Sequence, residues 1–405
     1  MRILALGGAG EIGAAAATVL VDDEAVSEVV IADRDLPRAA TVADALGAKA
    51  STLRIDATEH AALVAAMKRC DVVVNTVGPF FRFGVPILTA AIDAGIDYLD
   101  ICDDPEPTLQ MLNLNDRAQT AGVTALIGMG ASPGIANLLA VIAGSELDTV
   151  ETLVTGWNIA AAHPDSHIRT TPSAALVHGM AQLSGAIPVT RGGQLVHRRA
   201  LEKIVFTYPG IGKGHGRSFG HPEAVTLHRA FPNLRDNTNV VVGDTVTLTA
   251  LSVLRRAIGA RLLTLDRAAR LAERVHRRLP ANPARLIRPG SPPPLFAVAA
   301  GTHEDQPAIA ATALAQLPGL TMAATTGIPL AVATTLLAAS PRPGVHAPET
   351  LMDPGAFFTA LAPHCIGTPT TTAMTATTTS WASAITNANA LDTSLLTALS
   401  APANN

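Results

Sequence analysis

The chain has 405 residues, of which 48% are hydrophobic, so it is long enough to fill the cores of two or three domains. Its 29 basic and 33 acidic residues give a formal net charge of -4, with no basic excess for nucleic acid or an anionic membrane. Three scattered cysteines, Cys70, Cys102 and Cys365, are too few for a disulfide framework or a zinc cluster and fit a reducing compartment. No signal peptide is predicted, and the apolar stretch 328–339 is too short for a membrane span, so a cytoplasmic protein is expected.

The first 128 residues alternate short β-branched runs with alanine-rich helical segments, which is typical of parallel βαβ units. Strands are predicted at 2–6, 28–33, 50–55, 72–75, 98–101 and 124–127. Helices are predicted between them, at 12–21, 36–46, 59–66, 85–94 and 107–121. The sequence therefore predicts an α/β fold in residues 1–129, a Rossmann-type doubly wound parallel sheet.

After Gly130 the segments become longer and less regular, which predicts a second, α+β domain over residues 130–321. A helix is predicted at 135–143 and strands at 152–157, 203–206, 240–249 and 295–300, with the proline-rich stretch 279–294 as a loop. The Thr/Ala-rich tail 367–405 carries almost no charge and is predicted to be flexible, with a short packed helix around 385–399 as the alternative.

The glycines near the N-terminus form a dinucleotide-binding pattern. Gly8, Gly10 and Gly13 follow a predicted strand and open a predicted helix, which is the context that this pattern requires. Gly8 permits the tight turn, Gly10 lets the backbone approach a pyrophosphate, and Gly13 lets helix and strand pack closely. Glu11 and Ile12 belong to the same turn, where the helix N-terminus offers N–H donors to phosphates. The alternative is a glycine-rich turn that binds nothing.

The residues after the second and third strands bear on the choice between NAD and NADP. Asp33, 20 residues after Gly13, is placed to accept hydrogen bonds from the adenosine ribose, and its charge would repel a 2′-phosphate. Arg34 favours the opposite choice, because a guanidinium could pair with that phosphate or lie across the adenine. Asp56 could reach the adenine or cap the following helical segment. NAD is therefore favoured, and NADP stays open.

A loop after the fourth strand lies at the carboxyl edge of the predicted sheet, where open sheets bind ligands. It contains Asn75, Thr76, Gly78 and Pro79, which are predicted cofactor contacts. A stiff Gly-Pro loop can shield the nicotinamide end of the cofactor, although it can also be an ordinary turn.

Several stretches in shared order resemble the saccharopine dehydrogenase family, and within it the proteins like lysine 6-dehydrogenase and saccharopine reductase. They are 8–13, 75–80, 97–100 and 132–134 ahead of Asn137, then 220–223, 231–234 and 344–349. The resemblance implies a Rossmann domain interrupted by a substrate-binding and homodimerisation domain. It also implies that residues 322–366 return to pack on the Rossmann domain. No nucleic-acid or membrane partner is expected.

The resemblance also implies an NAD(P)-dependent oxidoreductase that moves hydride to or from a carbon bonded to nitrogen, in an amino acid, amine or imine. Some members of the family reduce carbon–carbon double bonds, so an enoyl-type reductase is one alternative. A dinucleotide-binding protein without catalytic activity is another. An intact glycine pattern does not separate these classes.

Such a reaction needs a group that carries a proton or pairs with a cation. Tyr98, Asp100 and Cys102 share one face of the fifth strand by period-2 alternation. Asp100 is the first catalytic candidate and Cys102 the second. The alternative is that Asp100 caps a neighbouring loop, while Asp103 and Asp104 simply precede the next helix.

Candidates for substrate binding come from the second predicted domain. The stretch 208–220 holds five glycines together with Lys213, His215 and Arg217, so it is predicted to be a mobile loop that could grip a carboxylate. Arg217 and His221 are the predicted substrate contacts, with an ordinary surface loop as the alternative. The histidines of this region, which include His163 and His167, match no zinc spacing, and no metal is expected.

Overall fold

The computed structural model describes residues 1–159, 177, 179–180, 182–183, 185–278, 291–366 and 374–381. His163, His167, most of the predicted loop 279–294 and the alternative helix 385–399 lie outside the described residues. The chain divides into two compact units. The first contains Met1–Ile135 and Met322–His364, and the second contains Ala136–Thr321 and Cys365–Asn405.

The first unit is built on seven parallel strands, arranged β3-β2-β1-β4-β5-β6-β15. They are β1 (Arg2–Leu6), β2 (Glu28–Asp33), β3 (Ala50–Arg54), β4 (Val72–Asn75), β5 (Asp97–Asp100), β6 (Thr124–Leu126) and β15 (Gly344–His346). The first six follow the Rossmann order, and the returning chain adds the seventh. The predicted α/β fold class, a doubly wound parallel sheet followed by a second domain, is therefore confirmed.

Helices cover this sheet and bury its apolar strands. They are α1 (Glu11–Asp22), α2 (Leu36–Leu46), α3 (His60–Met67), α4 (Phe80–Ala94), α5 (Pro105–Leu112) and α6 (Asn115–Ala121). The predicted helix 107–121 is two helices, with Asn113 and Leu114 between them. The side-chain oxygen of Asn115, at the start of α6, accepts the amide of Val345 at 3.1 Å. This hydrogen bond ties the returning strand β15 to the sheet's flank.

The returning chain also contributes a long apolar helix, α11 (Met322–Ala339), followed by α12 (Pro348–Leu351) and α13 (Pro354–Leu361). By length and composition α11 could cross a membrane, but half of it is buried inside the protein. It packs on α1 at Gly327, where an added Cβ would lie 2.6 Å from the carbonyl oxygen of Ile12. A helix that fits this closely against another is a core helix.

The second unit contains a mixed sheet in the order β10-β11-β12-β7-β13-β14-β16, with a β8–β9 hairpin joined to β12. Its strands are β7 (Thr149–Asn158), β8 (Ala186–Arg191), β9 (Gln194–Arg199), β10 (Lys203–Tyr208), β11 (Gly212–Phe219), β12 (Asp236–Val242), β13 (Leu295–His303), β14 (Gln306–Leu314) and β16 (Thr375–Thr379). Its helices are α7 (Ile135–Ser145), α8 (Glu223–Thr226), α9 (Thr245–Gly259) and α10 (Leu265–Arg278). The α+β character predicted for this region agrees with these elements.

Two predictions for the second unit are wrong. The predicted strand 240–249 ends at Val242, and Asp244 then caps α9 by accepting the amide of Thr247 at 2.9 Å. The predicted mobile loop 208–220 contains β11, a strand paired on both sides. Three of its five glycines, Gly214, Gly216 and Gly220, are packing sites: a Cβ on Gly214 would lie 2.4 Å from the Phe206 ring.

The predicted tail also differs from the structure over a short stretch. Residues Thr375–Thr379 form β16 and pair antiparallel with β14. The threonines that made the segment look irregular are β-branched, and they suit a strand once a partner strand is present.

Candidate functional site

The carboxyl ends of the parallel strands place five loops of the first unit at one edge of its sheet. These loops follow β1, β2, β4, β5 and β6. They contain all the cofactor and catalytic residues that the sequence predicts, apart from Asp56 after β3. The sequence-predicted residues Arg217 and His221 belong to the second unit.

The glycine turn after β1 is closely packed. Gly7 has a φ of +73° and donates its amide to the carbonyl oxygen of Ala32 at 2.9 Å, so the left-handed turn residue is Gly7 and not Gly8. Gly8 is a packing position, where a Cβ would lie 2.8 Å from the carbonyl oxygen of Ala5. At Gly13 a Cβ would lie 2.6 Å from the carbonyl oxygen of Gly7, as expected for a glycine that lets helix and strand approach.

Gly10 differs from its neighbours because space lies beside it. An added Cβ there would meet only the carbonyl oxygen of Gly7, at 3.0 Å. Gly10 precedes α1, whose first backbone bond runs from the amide of Ala14 to the carbonyl oxygen of Gly10 at 2.8 Å. The first-turn residues Glu11 and Ile12 thus lie at a helix N-terminus, which favours anions. A close backbone with room beside it fits a dinucleotide pyrophosphate.

Charged residues surround the expected adenosine end. Asp33 is half-buried at the end of β2 and accepts the amide of Asp35 at 3.1 Å, while Arg34 is exposed. Asp56 does not cap α3; it accepts the amide and hydroxyl of Thr58, at 2.9 and 2.7 Å. These bonds, with the nearby guanidiniums of Arg34 and Arg82, lower the pKa of Asp56.

Sequence reasoning missed Arg82, which lies exposed in the first turn of α4. A basic residue three positions after Pro79 was the available signal. Arg82, like Arg34, lowers the pKa of Asp56, so two guanidiniums act on this carboxylate.

The loop after β4 reaches the glycine turn through Thr76. The Thr76 hydroxyl donates to the carbonyl oxygen of Leu6 at 3.0 Å, and it would lie 2.8 Å from a Cβ on Gly13. Gly78 is exposed with nothing near its missing Cβ, and Pro79 precedes α4. Thr76, Gly78 and Pro79 therefore lie beside the turn that the cofactor would cover.

A buried hydrogen-bond chain joins β4 to β5. The Asn75 side-chain amide donates to the Tyr98 hydroxyl at 2.8 Å, and that hydroxyl donates to Asp100 Oδ2 at 2.8 Å. Asp100 Oδ1 accepts the amides of Cys102 and Gly128, at 2.9 and 2.8 Å. Burial raises the pKa of Asp100 to about 6, although the three hydrogen bonds oppose the shift.

These bonds favour a positioning role for Asp100. Its side chain is fully buried, and both oxygens are engaged by groups of the first unit. The bonds fix the loop that follows β5 and the loop that follows β6. The sequence alternative, in which Asp100 caps a neighbouring loop, describes this geometry.

Cys102 is also enclosed. Its thiol accepts the Thr108 hydroxyl at 3.5 Å and contacts the carbonyl oxygen of Asp104 at 3.6 Å. Burial raises the pKa of the thiol well above its ordinary value, so a thiolate is disfavoured. The structure therefore gives no support to Cys102 as a proton carrier.

The predicted substrate residues of the second unit are far less exposed than a mobile loop would make them. Arg217 lies within β11, opposite Lys203 and Val241. His221 is buried and stacks on Trp157, with ring centroids 5.7 Å apart. The substrate roles of both residues stay predictions.

Sequence reasoning missed a buried polar cluster beside His221. Asn239 donates to Thr155 Oγ1 at 3.0 Å and to Glu223 Oε1 at 3.2 Å, and it accepts the indole N–H of Trp157 at 3.2 Å. Asn237 donates to the carbonyl oxygen of Glu223. The alternation of Asn237 and Asn239 ahead of the three valines of β12 was the signal for this cluster. Among the described residues, no group of three or more His, Cys, Asp or Glu side chains could hold a metal ion.

Comparison with known proteins agrees with this architecture. Residues 3–126 match the family model of the saccharopine dehydrogenase NADP-binding domain. The apo saccharopine dehydrogenase (L-Glu forming) of Saccharomyces cerevisiae has a similar fold, with a TM-score of 0.57 and 17% identity over 89% of this chain and 96% of its own. These two findings support the saccharopine dehydrogenase-like family that the sequence motifs predict. The matched domain supports a nicotinamide dinucleotide as cofactor.

Curated relatives are similar over a shorter stretch. A Mycobacterium tuberculosis protein proposed to be a trans-acting enoyl reductase is 36% identical over 106 residues, which is 25% of each chain. Trans-acting enoyl reductases of Mycobacterium ulcerans and Mycobacterium leprae are 32% identical over 103 and 102 residues. The alignments span about a quarter of these relatives' length, 25% and 24%.

Proposed function

We propose that the chain is an NAD(P)-dependent oxidoreductase that transfers hydride. The observation that carries this proposal is the turn from Gly7 to Gly13, which is packed on every side except beside Gly10. An added Cβ at Gly10 would meet one atom, the carbonyl oxygen of Gly7 at 3.0 Å, so the space beside this turn lies at the N-terminus of α1, where a pyrophosphate is favoured. The matched NADP-binding domain supports the same conclusion.

Each part of the cofactor has residues that would hold it. Gly10 and the first turn of α1 would hold the pyrophosphate, and Asp33 would accept the ribose hydroxyls. Thr76, Gly78 and Pro79 would lie along the nicotinamide end. When bound, the nicotinamide supplies or accepts the hydride. The protein's own contribution at this edge is to bind and orient it.

We propose NAD as the preferred cofactor, because Asp33 ends β2 where a carboxylate disfavours a 2′-phosphate. Arg34 and Arg82 oppose this preference, since both guanidiniums act on the same region. The test is to measure the affinities of Asp33 and Arg34 variants for NAD and for NADP. The result shows whether the carboxylate or the guanidinium sets the preference.

We propose that Asp100 acts as a positioning residue. Its bonds to Cys102 and Gly128 hold the loops after β5 and β6 together at the edge where the cofactor would bind, and its bond to Tyr98 ties them to β5. A group that already accepts three hydrogen bonds is poorly placed to take up a substrate proton in addition. This departs from the expectation that Asp100 carries a proton or pairs with a substrate ammonium.

We propose that the substrate contains a carbon–carbon double bond conjugated to a carbonyl. We rank this candidate before the carbon–nitrogen centre expected from the sequence. Two observations support this order. Two relatives that are 32% identical to this chain, over 103 and 102 residues, are trans-acting enoyl reductases. The carboxylate predicted to pair with an ammonium, Asp100, is buried and already accepts three hydrogen bonds from the first unit. Reduction of imines or oxidation of amines is the second candidate, supported by the fold shared with saccharopine dehydrogenase.

The test is oxidation of reduced nicotinamide cofactor with matched substrate pairs, one an α,β-unsaturated thioester and the other an imine of similar size. Turnover that requires the unsaturated carbonyl supports the first candidate, and turnover that requires nitrogen supports the second. Gly10→Val is the control, because it should remove activity in either case. Tight cofactor binding without turnover of any substrate would leave a binding protein, and the oxidoreductase proposal would fail.

We further propose a cytoplasmic protein, from the cysteine content and the lack of a predicted signal peptide, and a homodimer, as the family resemblance implies. The predicted strand 240–249 offers no free sheet edge for such a dimer, because β12 is enclosed between β11 and β7. Light scattering at micromolar concentration tests the dimer, and a monomeric mass would contradict it.

A further inference from the structure

Helices α9 and α10 form a surface of the second unit that is both apolar and basic. On its inner face, α9 packs Leu248, Leu251 and Ile258 against a core cluster. No residue of α9 is fully buried, and its outer face remains uncovered by the described part of the chain. We call the outer face of α9 and α10, with the turn between them, the α9–α10 surface.

Large apolar side chains protrude from this surface. Val246 is 79% exposed, Leu262 76%, Val253 58% and Leu271 46%. Between the two helices lies an open groove of about 580 Å³ lined almost entirely by apolar atoms. Single exposed apolar residues are ordinary, but a contiguous patch of this kind marks an interaction surface.

The same helices carry a concentrated positive charge. Residues 245–278 contain eight arginines and two acidic residues, a net charge of +6, in a chain whose net charge is -4. Arg256 lies seven residues after Thr249 and three after Val253, so these three exposed side chains share one face of α9. Arg267, Arg270 and Arg274 are exposed on the face of α10 that presents Leu271. The charge therefore borders the apolar groove.

Part of this charge has no acidic partner in the described structure. Arg199, Arg255 and Arg256 lie close enough that Arg199 and Arg256, together with burial, lower the pKa of Arg255. Among the described residues, no ion pair joins these three arginines to an acid, and the Nε of Arg255 is buried without a hydrogen-bond partner. Guanidiniums left together in this way favour an anionic partner.

We propose that the α9–α10 surface docks the protein on an anionic lipid membrane. Amphipathic helices with arginines beside exposed apolar side chains lie in the plane of such an interface, with the apolar face among the acyl chains. A second copy of this chain fits less well, because an isologous contact would bring two surfaces together that each carry the exposed Arg256, Arg267, Arg270 and Arg274. No membrane partner is expected from the net charge of the whole chain, -4, because that total does not reveal the local excess of arginine in residues 245–278.

The experiment is flotation of the full chain with two kinds of vesicle, phosphatidylcholine alone and phosphatidylcholine mixed in equal parts with phosphatidylglycerol. The protein should float with the mixed vesicles and stay behind with the neutral ones. Arg267→Gln, Arg270→Gln and Arg274→Gln combined should lower the partition coefficient about a hundredfold, since each arginine near an anionic surface contributes a factor of about five. Val246→Ser with Val253→Ser should also lower the partition coefficient, because two apolar side chains no longer enter the acyl region.

Matched controls exist in the same unit. Leu195→Ser removes an apolar side chain that is 48% exposed on β9, and Arg229→Gln removes an exposed arginine outside the α9–α10 surface. Neither should change flotation by more than about twofold, by the small size of isolated surface effects. Unfolding curves for all the variants show whether the loss of binding reflects the surface or the fold.

Several results would overturn the proposal. One is a wild-type chain that floats with neither vesicle, and another is flotation that does not depend on phosphatidylglycerol or on the three arginines. A concentration-dependent dimer that Val246→Ser with Val253→Ser dissociates, without vesicle binding, would assign the surface to a second copy. Binding to a synthetic acidic amphipathic helix but not to vesicles would assign it to a protein partner.

Discussion

The glycine turn of the first unit and the sheet of the second unit both need glycine where a Cβ would collide with another atom. They differ in how far apart in sequence the glycine and that atom lie. The two backbone atoms that a Cβ on Gly13 would meet belong to Gly7 and Gly8 of the same turn, and only the Thr76 hydroxyl comes from a distant part of the chain. Gly156 faces the Phe296 ring, and Gly301 faces the carbonyl oxygen of Thr149 on a strand far away in sequence. The first pattern is visible in a short motif, whereas the second exists only after the sheet has formed.

The largest expected effect separates these two kinds of glycine. In Gly301→Ala the new Cβ would lie 1.9 Å from the carbonyl oxygen of Thr149, a backbone atom that cannot rotate away. We expect a loss of about 3 kcal/mol or more in the free energy of unfolding, at the upper end for overpacking. Gly10→Ala, which meets only one atom at 3.0 Å, should change it by less than about 1 kcal/mol.

Urea unfolding measures the free energy of unfolding of both variants. Calorimetry with NAD measures their affinity for the cofactor. Gly10→Val should lose cofactor binding while the protein stays folded, and Gly301→Ala should bind normally wherever it is folded. Normal NAD affinity in a folded Gly10→Val would show that the glycine turn does not hold a pyrophosphate.

The contrast also explains what the sequence could and could not predict. Strands β1, β2 and β4 match their predicted bounds, because their apolar runs are flanked by helices and turn residues within the same βαβ unit. In the second unit, Gly214 and Gly216 looked like loop residues, since nothing local showed that Phe206 and Val240 would pack over them. The polar contacts of Asn239 were equally invisible, because Thr155 and Glu223 approach it only in the folded sheet.

The candidate site divides in the same way. The positions of Gly13, Thr76 and Gly78 follow from motif and strand order. The burial of Asp100 does not, because it depends on Gly128 and Tyr98 closing around the carboxylate. A strand-end aspartate looks alike in sequence whether it faces a substrate or a neighbouring loop.

The next effect tests this burial through pH. The folded pKa of Asp100, about 6, lies above its ordinary value of 3.8, so the folded protein holds a proton that the unfolded chain releases first. The stabilisation from this proton is complete below about 3.8 and is lost as the pH rises through about 6. It corresponds to about 3 kcal/mol, by the free energy per pKa unit.

Asp100→Asn should remove this slope from the dependence of the unfolding free energy on pH, measured by urea unfolding from acid to neutral pH. It should also lower stability at neutral pH by about 1 kcal/mol, because the amide cannot accept the Tyr98 hydroxyl as the carboxylate does. Asp93→Asn, at an exposed ion pair with Arg117, is the control and should keep the slope. An unchanged slope in Asp100→Asn would contradict the buried position of this carboxyl.

A smaller effect concerns the adenosine end of the site. Asp33→Ser should weaken NAD binding about tenfold and improve NADP binding in relative terms, because the ribose loses an acceptor and a 2′-phosphate loses a repelling charge. Arg34→Ser should weaken NADP more than NAD. Asp35→Ala is a useful control, since Asp35 caps α2 through the amide of Arg38 at 3.2 Å and should affect stability alone. Equal changes for both cofactors in Asp33→Ser would remove Asp33 from the selectivity.

The smallest expected effect compares one buried thiol from each unit. Cys102 lies in the first unit, and Cys365, whose pKa burial raises to about 12, contacts the carbonyl oxygen of Gln316 in the second. Because neither thiol readily forms a thiolate, iodoacetamide should label both only as the protein unfolds. Cys102→Ala should cost about 1 kcal/mol of stability, the usual scale for a small change in a packed core, and should leave turnover and its pH profile unchanged. Rapid alkylation of Cys102 in the folded protein, protected by NAD, would instead place this thiol in the cofactor site and restore it as a participant in the reaction.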